Sequence, residues 1–140
     1  MSNEVITKFE NICKTLENAF KGVFSWKWDD RFAAVLTEFS AELQENVEKV
    51  LNPLLMFKWD SNSIATAPET VQLVKNHLGG LMSSQLLYTS DPKQEEILFG
   101  AWWPWGDGST ISLRVSLILK PESNNDQTEA LQQLKTWFEI

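Results

Sequence analysis

Few side chains in this sequence could carry nucleophilic or acid–base chemistry. His77 is the only histidine and Cys13 is the only cysteine. A Ser–His–Asp or Cys–His site would need His77 as its base. However, His77 lies at the end of a predicted helix just before Gly79, where a positive charge interacts favourably with the carbonyl ends. We therefore expect a helix-end or solvated role for His77 rather than a catalytic one.

No metal site, disulfide or cofactor is predicted. One cysteine cannot form an intramolecular disulfide, and one cysteine with one histidine cannot supply a structural zinc site. The segment Gly106-Asp107-Gly108 has neither the lysine and helix of a phosphate-binding loop nor the spacing of a dinucleotide fingerprint. We interpret that segment as a turn, and Cys13 as a small buried hydrophobe.

Carboxylates are more numerous than the other candidate groups. Glu38, Glu42 and Glu45 follow helical spacing and could together receive a cation or a basic partner. The interpretation that we favour is the solvated face of a helix whose apolar side carries Phe39 and Leu43.

Composition indicates an ordinary globular protein. The chain has 140 residues, 43% hydrophobic and 22% charged, which predicts a single domain over 1–140. The net charge of -7 argues against nucleic acid and anionic membranes as partners, because binding phosphate requires a basic surface. The apolar runs are too short to cross a bilayer. The single thiol and the absence of a signal-like amino terminus predict a cytoplasmic location.

Tryptophan is unusually abundant, with seven residues beside eight phenylalanines and one tyrosine. Its large apolar ring and single N–H suit core edges, interfaces and pocket walls. Trp102, Trp103 and Trp105 crowd around Pro104, and strand alternation would send neighbouring rings to opposite faces. Three interpretations of this segment stay open: core-edge packing, a protein interface, and the wall of a small-ligand pocket.

Hydrophobic periodicity predicts the elements that position these residues. Three- and four-residue steps predict helices over 5–23, 32–50, 68–78 and 130–138. Period-two alternation predicts strands over 24–28, 55–59, 82–88, 97–103 and 111–119. The resulting fold class is α+β. We expect an antiparallel sheet, formed by a late three-strand meander and one or two short early strands, with helices packed mainly on one face.

The turn between the last two strands decides which face carries Trp102. A two-residue loop (107–108) would set Trp103 beside the polar Ser112. A three-residue loop (106–108) instead matches one apolar face to the other. We predict the three-residue loop, which places Trp102 on the outer face of the sheet.

The leading functional prediction is a non-catalytic, cytoplasmic protein-interaction or regulatory domain that forms a homodimer or binds another protein. Its predicted interface is the outer sheet face with Leu98, Trp102 and Arg114. Tryptophan and arginine are favoured anchors at protein interfaces.

The alternative prediction is a small-molecule-binding domain or enzyme with a tryptophan-lined pocket between the sheet and the helices. Arg114 and two aspartates would be its polar anchors. The further residues assigned to this pocket are Trp26, Trp28, Trp59, Asp29 and Asp60.

Overall fold

The computed structural model describes residues 3–119 and 124–140, which form four α-helices and a six-stranded antiparallel sheet. The helices are α1 (Asn3–Ala19), α2 (Gln44–Leu54), α3 (Glu69–Leu78) and α4 (Asn124–Trp137). The strands are β1 (Lys27–Asp29), β2 (Ala34–Ser40), β3 (Phe57–Trp59), β4 (Leu86–Thr89), β5 (Ile97–Pro104) and β6 (Thr110–Ile118). Their order in the sheet is β1-β2-β6-β5-β4-β3. The α+β class, the late meander β4-β5-β6 and the short early strands β1 and β3 are confirmed.

The two faces of the sheet are covered unequally. On one face, which we call the three-helix face, α1, α2 and α4 pack over the larger core cluster. On the other, which we call the α3 face, Val71 and Val74 of α3 pack with Leu87 and Phe99 of the sheet. The predicted packing of helices mainly on one face is therefore confirmed. None of the helices within the described ranges is long and apolar enough to cross a membrane.

The predicted second helix is wrong in its first half. Residues 34–40 form β2, and α2 begins only at Gln44, after a 3-10 turn at Ala41–Leu43. Four consecutive residues from Ala34 to Thr37 are buried, because β2 lies inside the sheet with cover on both faces. Such a strand has no period-two alternation, so its apolar residues also fit helical steps. Glu38 therefore belongs to a strand, and the predicted helical row of carboxylates does not form.

The predicted register of the β5–β6 hairpin is also wrong. Trp103 lies opposite Ser112, and Trp102 lies opposite Leu113. This is the pairing that we associated with the shorter loop. Alternation then turns Trp102 and Leu113 toward the three-helix face, while Trp103 and Ser112 share the α3 face.

The observed register buries two serines that the alternation of apolar and polar residues in β6 would assign to solvent. Ser112 and Ser116 are 5% and 2% exposed. The Ser116 hydroxyl donates to the Ala33 carbonyl at 2.6 Å, and Ser112 Oγ accepts from the Trp105 indole at 2.9 Å. A buried hydroxyl with a hydrogen-bond partner is tolerated in a core, so these serines do not force their face outward.

Candidate functional site

The predicted interface patch does not exist as a surface. Leu98 is completely buried and Trp102 is 1% exposed. The Trp102 ring packs edge-on against Phe39 and Tyr88, with centroid distances of 5.6 and 6.0 Å. Arg114 lies on the opposite face of the sheet. The expectation that these three residues form one exposed surface is therefore wrong, because it depended on the incorrect hairpin register.

The three tryptophans of the predicted pocket lie on different faces of the sheet, Trp26 and Trp28 on the three-helix face and Trp59 on the α3 face. Trp26 packs against Phe138 at 4.6 Å between ring centroids, and Lys135 lies over the Trp28 ring at 4.3 Å. Both belong with the three-helix core. Trp59 lies on the α3 face near the far edge of the sheet, where its indole donates to Thr89. The sheet therefore separates Trp59 from the other two.

Asp60, the other carboxylate assigned to that pocket, organises a turn. Its Oδ1 accepts backbone N–H groups of Ser63 and Asn62 at 2.8 and 2.9 Å. These hydrogen bonds favour the charged form and lower the pKa of Asp60. Asp60 is therefore committed to the local backbone rather than to a ligand.

The most distinctive site lies on the α3 face, where the end of α3 meets the β5–β6 hairpin. A cleft of about 630 Å³ opens there. We call it the arginine–tryptophan cleft and define it by Arg31, Phe32, Trp103, Trp105 and Arg114. It holds both arginines of a chain whose net charge is -7. Its basic residues come from elements far apart in sequence, which only the sheet order brings together.

Arg114 is paired and held between aromatic rings. Its Nε donates to Asp29 Oδ2 at 2.7 Å, and the two side chains are only 16% and 13% exposed. The guanidinium carbon lies 4.6 Å from the Trp103 ring centroid and 5.2 Å from that of Phe32. The structure thus brings together two residues, Arg114 and Asp29, that the pocket prediction named as polar anchors, although 85 positions separate them. Their charges offset each other within the wall of the cleft.

Arg31 is carried by the β1–β2 loop, which folds over the α3 face. Its backbone N–H donates to Asp29 Oδ1 at 3.0 Å. Its guanidinium lies 4.9 Å from the Phe32 ring centroid. Within residues 3–119 and 124–140, no carboxylate forms an ion pair with it. Arg31 is therefore an exposed cation at the edge of an aromatic cleft, and its guanidinium forms no ion pair with the described residues.

The rim of the cleft exposes apolar side chains. Met82 is 71% exposed in the α3–β4 connection, and Trp105 is 46% exposed at the hairpin. The Trp105 indole is fixed by its hydrogen bond to Ser112, and Gln85 Oε1 accepts the Met82 N–H at 2.8 Å. Large apolar groups beside arginine are the composition that distinguishes interface cores from ordinary surface.

The residues with catalytic potential are occupied elsewhere. His77 Nε2 lies 2.7 Å from the Phe32 carbonyl oxygen. Because a carbonyl oxygen can only accept, Nε2 carries a hydrogen and donates the hydrogen bond. Cys13 is fully buried in α1, and burial raises the pKa of its thiol because the thiolate would be desolvated. Across the described residues, no group of three or more His, Cys, Asp or Glu side chains could hold a metal ion. The cleft itself offers hydrogen-bond donors and aromatic surface.

Comparisons with protein-family models, curated proteins and solved structures find no match to this chain. What the protein does must therefore be inferred from the chemistry of the cleft.

Proposed function

We propose that this protein is a non-catalytic interaction domain that binds a partner protein through the arginine–tryptophan cleft. The observation that supports this most directly is the exposure of Trp105 and Met82 beside Arg31. Tryptophan, methionine and arginine are enriched in protein interfaces, and buried tryptophan and arginine provide a large share of binding energy there. The interaction class is the same as the sequence suggested, but the surface lies on the opposite face of the sheet.

The partner is a different protein rather than a second copy of this chain. In a two-fold dimer formed through this cleft, the same patch lies on both sides of the contact, so the arginines of both copies would share one interface. Like charges brought together in a desolvated contact oppose association. A partner with its own complementary surface avoids this repulsion. We place the protein in the cytoplasm, where its single thiol would stay reduced.

A second candidate function is small-molecule binding in the same cleft. The volume of about 630 Å³ favours it, because ligand pockets commonly measure roughly 300–1,000 Å³. The open rim favours the protein partner, since small-molecule pockets enclose most of their ligand. The two candidates differ in what would contact the Met82 side chain. Because that side chain is exposed, it suits contact with the broad surface of a protein more than contact with an enclosed ligand.

The test compares surface variants in affinity capture from the source cells with quantitative mass spectrometry. Trp105→Ala and Met82→Ser should each lower the yield of one specific protein at least about tenfold, as expected for loss of an interface anchor. The matched control is Met56→Ser, because Met56 is 73% exposed outside the cleft. That variant should recover the same protein at wild-type yield.

Equal recovery from all variants, with thermal melting unchanged, would contradict the proposed interaction site. A low-molecular-mass ligand released from wild type, and absent after Trp105→Ala, would instead support the second candidate.

A further inference from the structure

We infer that the partner segment which occupies the arginine–tryptophan cleft carries an Asp or Glu carboxylate bound by Arg31, with an apolar side chain beside it that packs on Trp105 and Met82. This inference rests on the proposed function and adds the chemistry of the partner. The partner segment is acidic where it meets Arg31, even though this chain has an overall net charge of -7.

The carboxylates near the cleft form no ion pair with the Arg31 guanidinium among the described residues. Both oxygens of Asp29 accept a hydrogen bond, one from Arg114 Nε and the other from the Arg31 backbone N–H. Glu38, on the same face, lies 3.5 Å from the Lys27 amine. Asp30 precedes Arg31 in sequence but forms no ion pair with it in the described structure. Within the part of the chain that the structure describes, the Arg31 guanidinium is therefore free to bind a carboxylate of a partner.

The loop that carries Arg31 is held in place by contacts at three successive residues. The Arg31 N–H is bound by Asp29, the Phe32 carbonyl by His77, and the Ala33 carbonyl by the Ser116 hydroxyl. Ala33 adopts φ of 49°, a left-handed conformation that is unfavourable for alanine. Because the backbone that carries Arg31 is already held by these contacts, it loses little conformational freedom when a partner binds. This favours affinity.

The side chains that line the cleft include strong hydrogen-bond donors. A guanidinium has five N–H groups in a planar fork that matches a carboxylate bidentately. Gln85 also lines the cleft, and because its oxygen accepts the Met82 N–H, its NH₂ group is the part of the amide left to donate. At the end of α3, the carbonyls of Lys75 and Asn76 accept the N–H groups of the two following glycines. An acceptor-rich anion satisfies the guanidinium donors of Arg31 better than an amide or hydroxyl does.

The test is a random peptide display library selected on the immobilised intact chain, followed by synthetic peptides titrated into isotope-labelled protein. Selected peptides should contain Asp or Glu beside an apolar residue and should shift the indole resonance of Trp105. Arg31→Gln should weaken the best peptide at least about tenfold, whereas Arg31→Lys should weaken it less. Replacing the peptide's acidic residue by its amide should cause the same loss, and the two changes together should cause little further loss.

The matched control is Lys49→Gln, which removes one positive charge from an exposed residue outside the cleft. It should change affinity less than about twofold if the effect of Arg31 is local. Peptides that bind the cleft without a carboxylate, or that ignore Arg31→Gln, would overturn this inference and leave the proposed interaction site standing. Failure to select any peptide that shifts Trp105 would overturn both.

Discussion

Replacement of Tyr88 by phenylalanine is expected to stabilise the protein, even though it removes a polar group from the core. Tyr88 is completely buried, and its hydroxyl has no hydrogen-bond partner in the described structure. Burial, together with a smaller effect of Glu48, raises the pKa of Tyr88, so the group is neutral and simply desolvated. An unsatisfied buried polar group costs about 1–3 kcal/mol, and the phenyl ring would keep the contact with Trp102. The lost oxygen leaves only a small void.

We expect Tyr88→Phe to raise the free energy of unfolding by about 1 kcal/mol and Tm by about 3 °C. Urea unfolding followed by tryptophan fluorescence, and separately by circular dichroism, measures the change. The control is Tyr88→Leu, which also removes the hydroxyl but loses the ring, and should destabilise by about 2 kcal/mol. A Tyr88→Phe protein that is less stable than wild type would refute the reasoning, because it would mean that the hydroxyl has a partner such as a buried water.

Three further predictions concern the loop, the ion pair and the thiol. Ala33→Gly should raise the free energy of unfolding by about 0.5 kcal/mol in urea titrations, because glycine tolerates the left-handed backbone; a clear loss would count against strain there. Asp29→Ala should lower it by about 2 kcal/mol, since Arg114 loses its partner in a largely buried site, whereas Asp30→Ala should be nearly neutral. Equal effects of these two variants would contradict a specific ion pair. Cys13 should react with a thiol reagent at pH 8 only as fast as the protein opens, and rapid labelling of the native state would contradict its burial.

The helices α1 and α3 were predictable because each has one solvated and one buried face, so their apolar residues recur with a clear period. β6 was predictable because its apolar residues alternate with small or polar ones, although both of its faces are largely buried. β2 was not predictable, because its consecutive apolar residues Ala34, Val35 and Leu36 show no such alternation. The hydrophobic period of a segment depends on which of its faces are buried as well as on whether it is a helix or a strand.

The hairpin register failed for a different physical reason. The alternation of apolar and polar residues in β6 predicts that Ser112 and Ser116 face solvent, but each is buried and hydrogen-bonded. The partner of Ser116 is the Ala33 carbonyl, 83 residues away, and no local pattern reveals a partner at that distance. The wrong register then turned Leu98 and Trp102 outward in the predicted interface.

The candidate site was predictable only in part. Arg114 and Asp29 were named as anchors from their residue types alone. Arg31 was overlooked, and its position depends on how the β1–β2 loop folds across the sheet. The sequence signal that could have pointed to Arg31 is the low arginine content. This acidic chain has only two arginines, and both line the same cleft.

The order of strands in the sheet determines when during synthesis the cleft can form. β1 and β2 leave the ribosome early, yet β2 pairs with β6 near the end of the chain. The β1–β2 loop cannot accept its hydrogen bond from Ser116, and Asp29 cannot pair with Arg114, until β6 has been synthesised. Since chains emerge from the amino terminus and long-range pairing is slow, the cleft forms only after β6 has been synthesised. A nascent or truncated chain that stops before β6 therefore lacks the proposed binding surface.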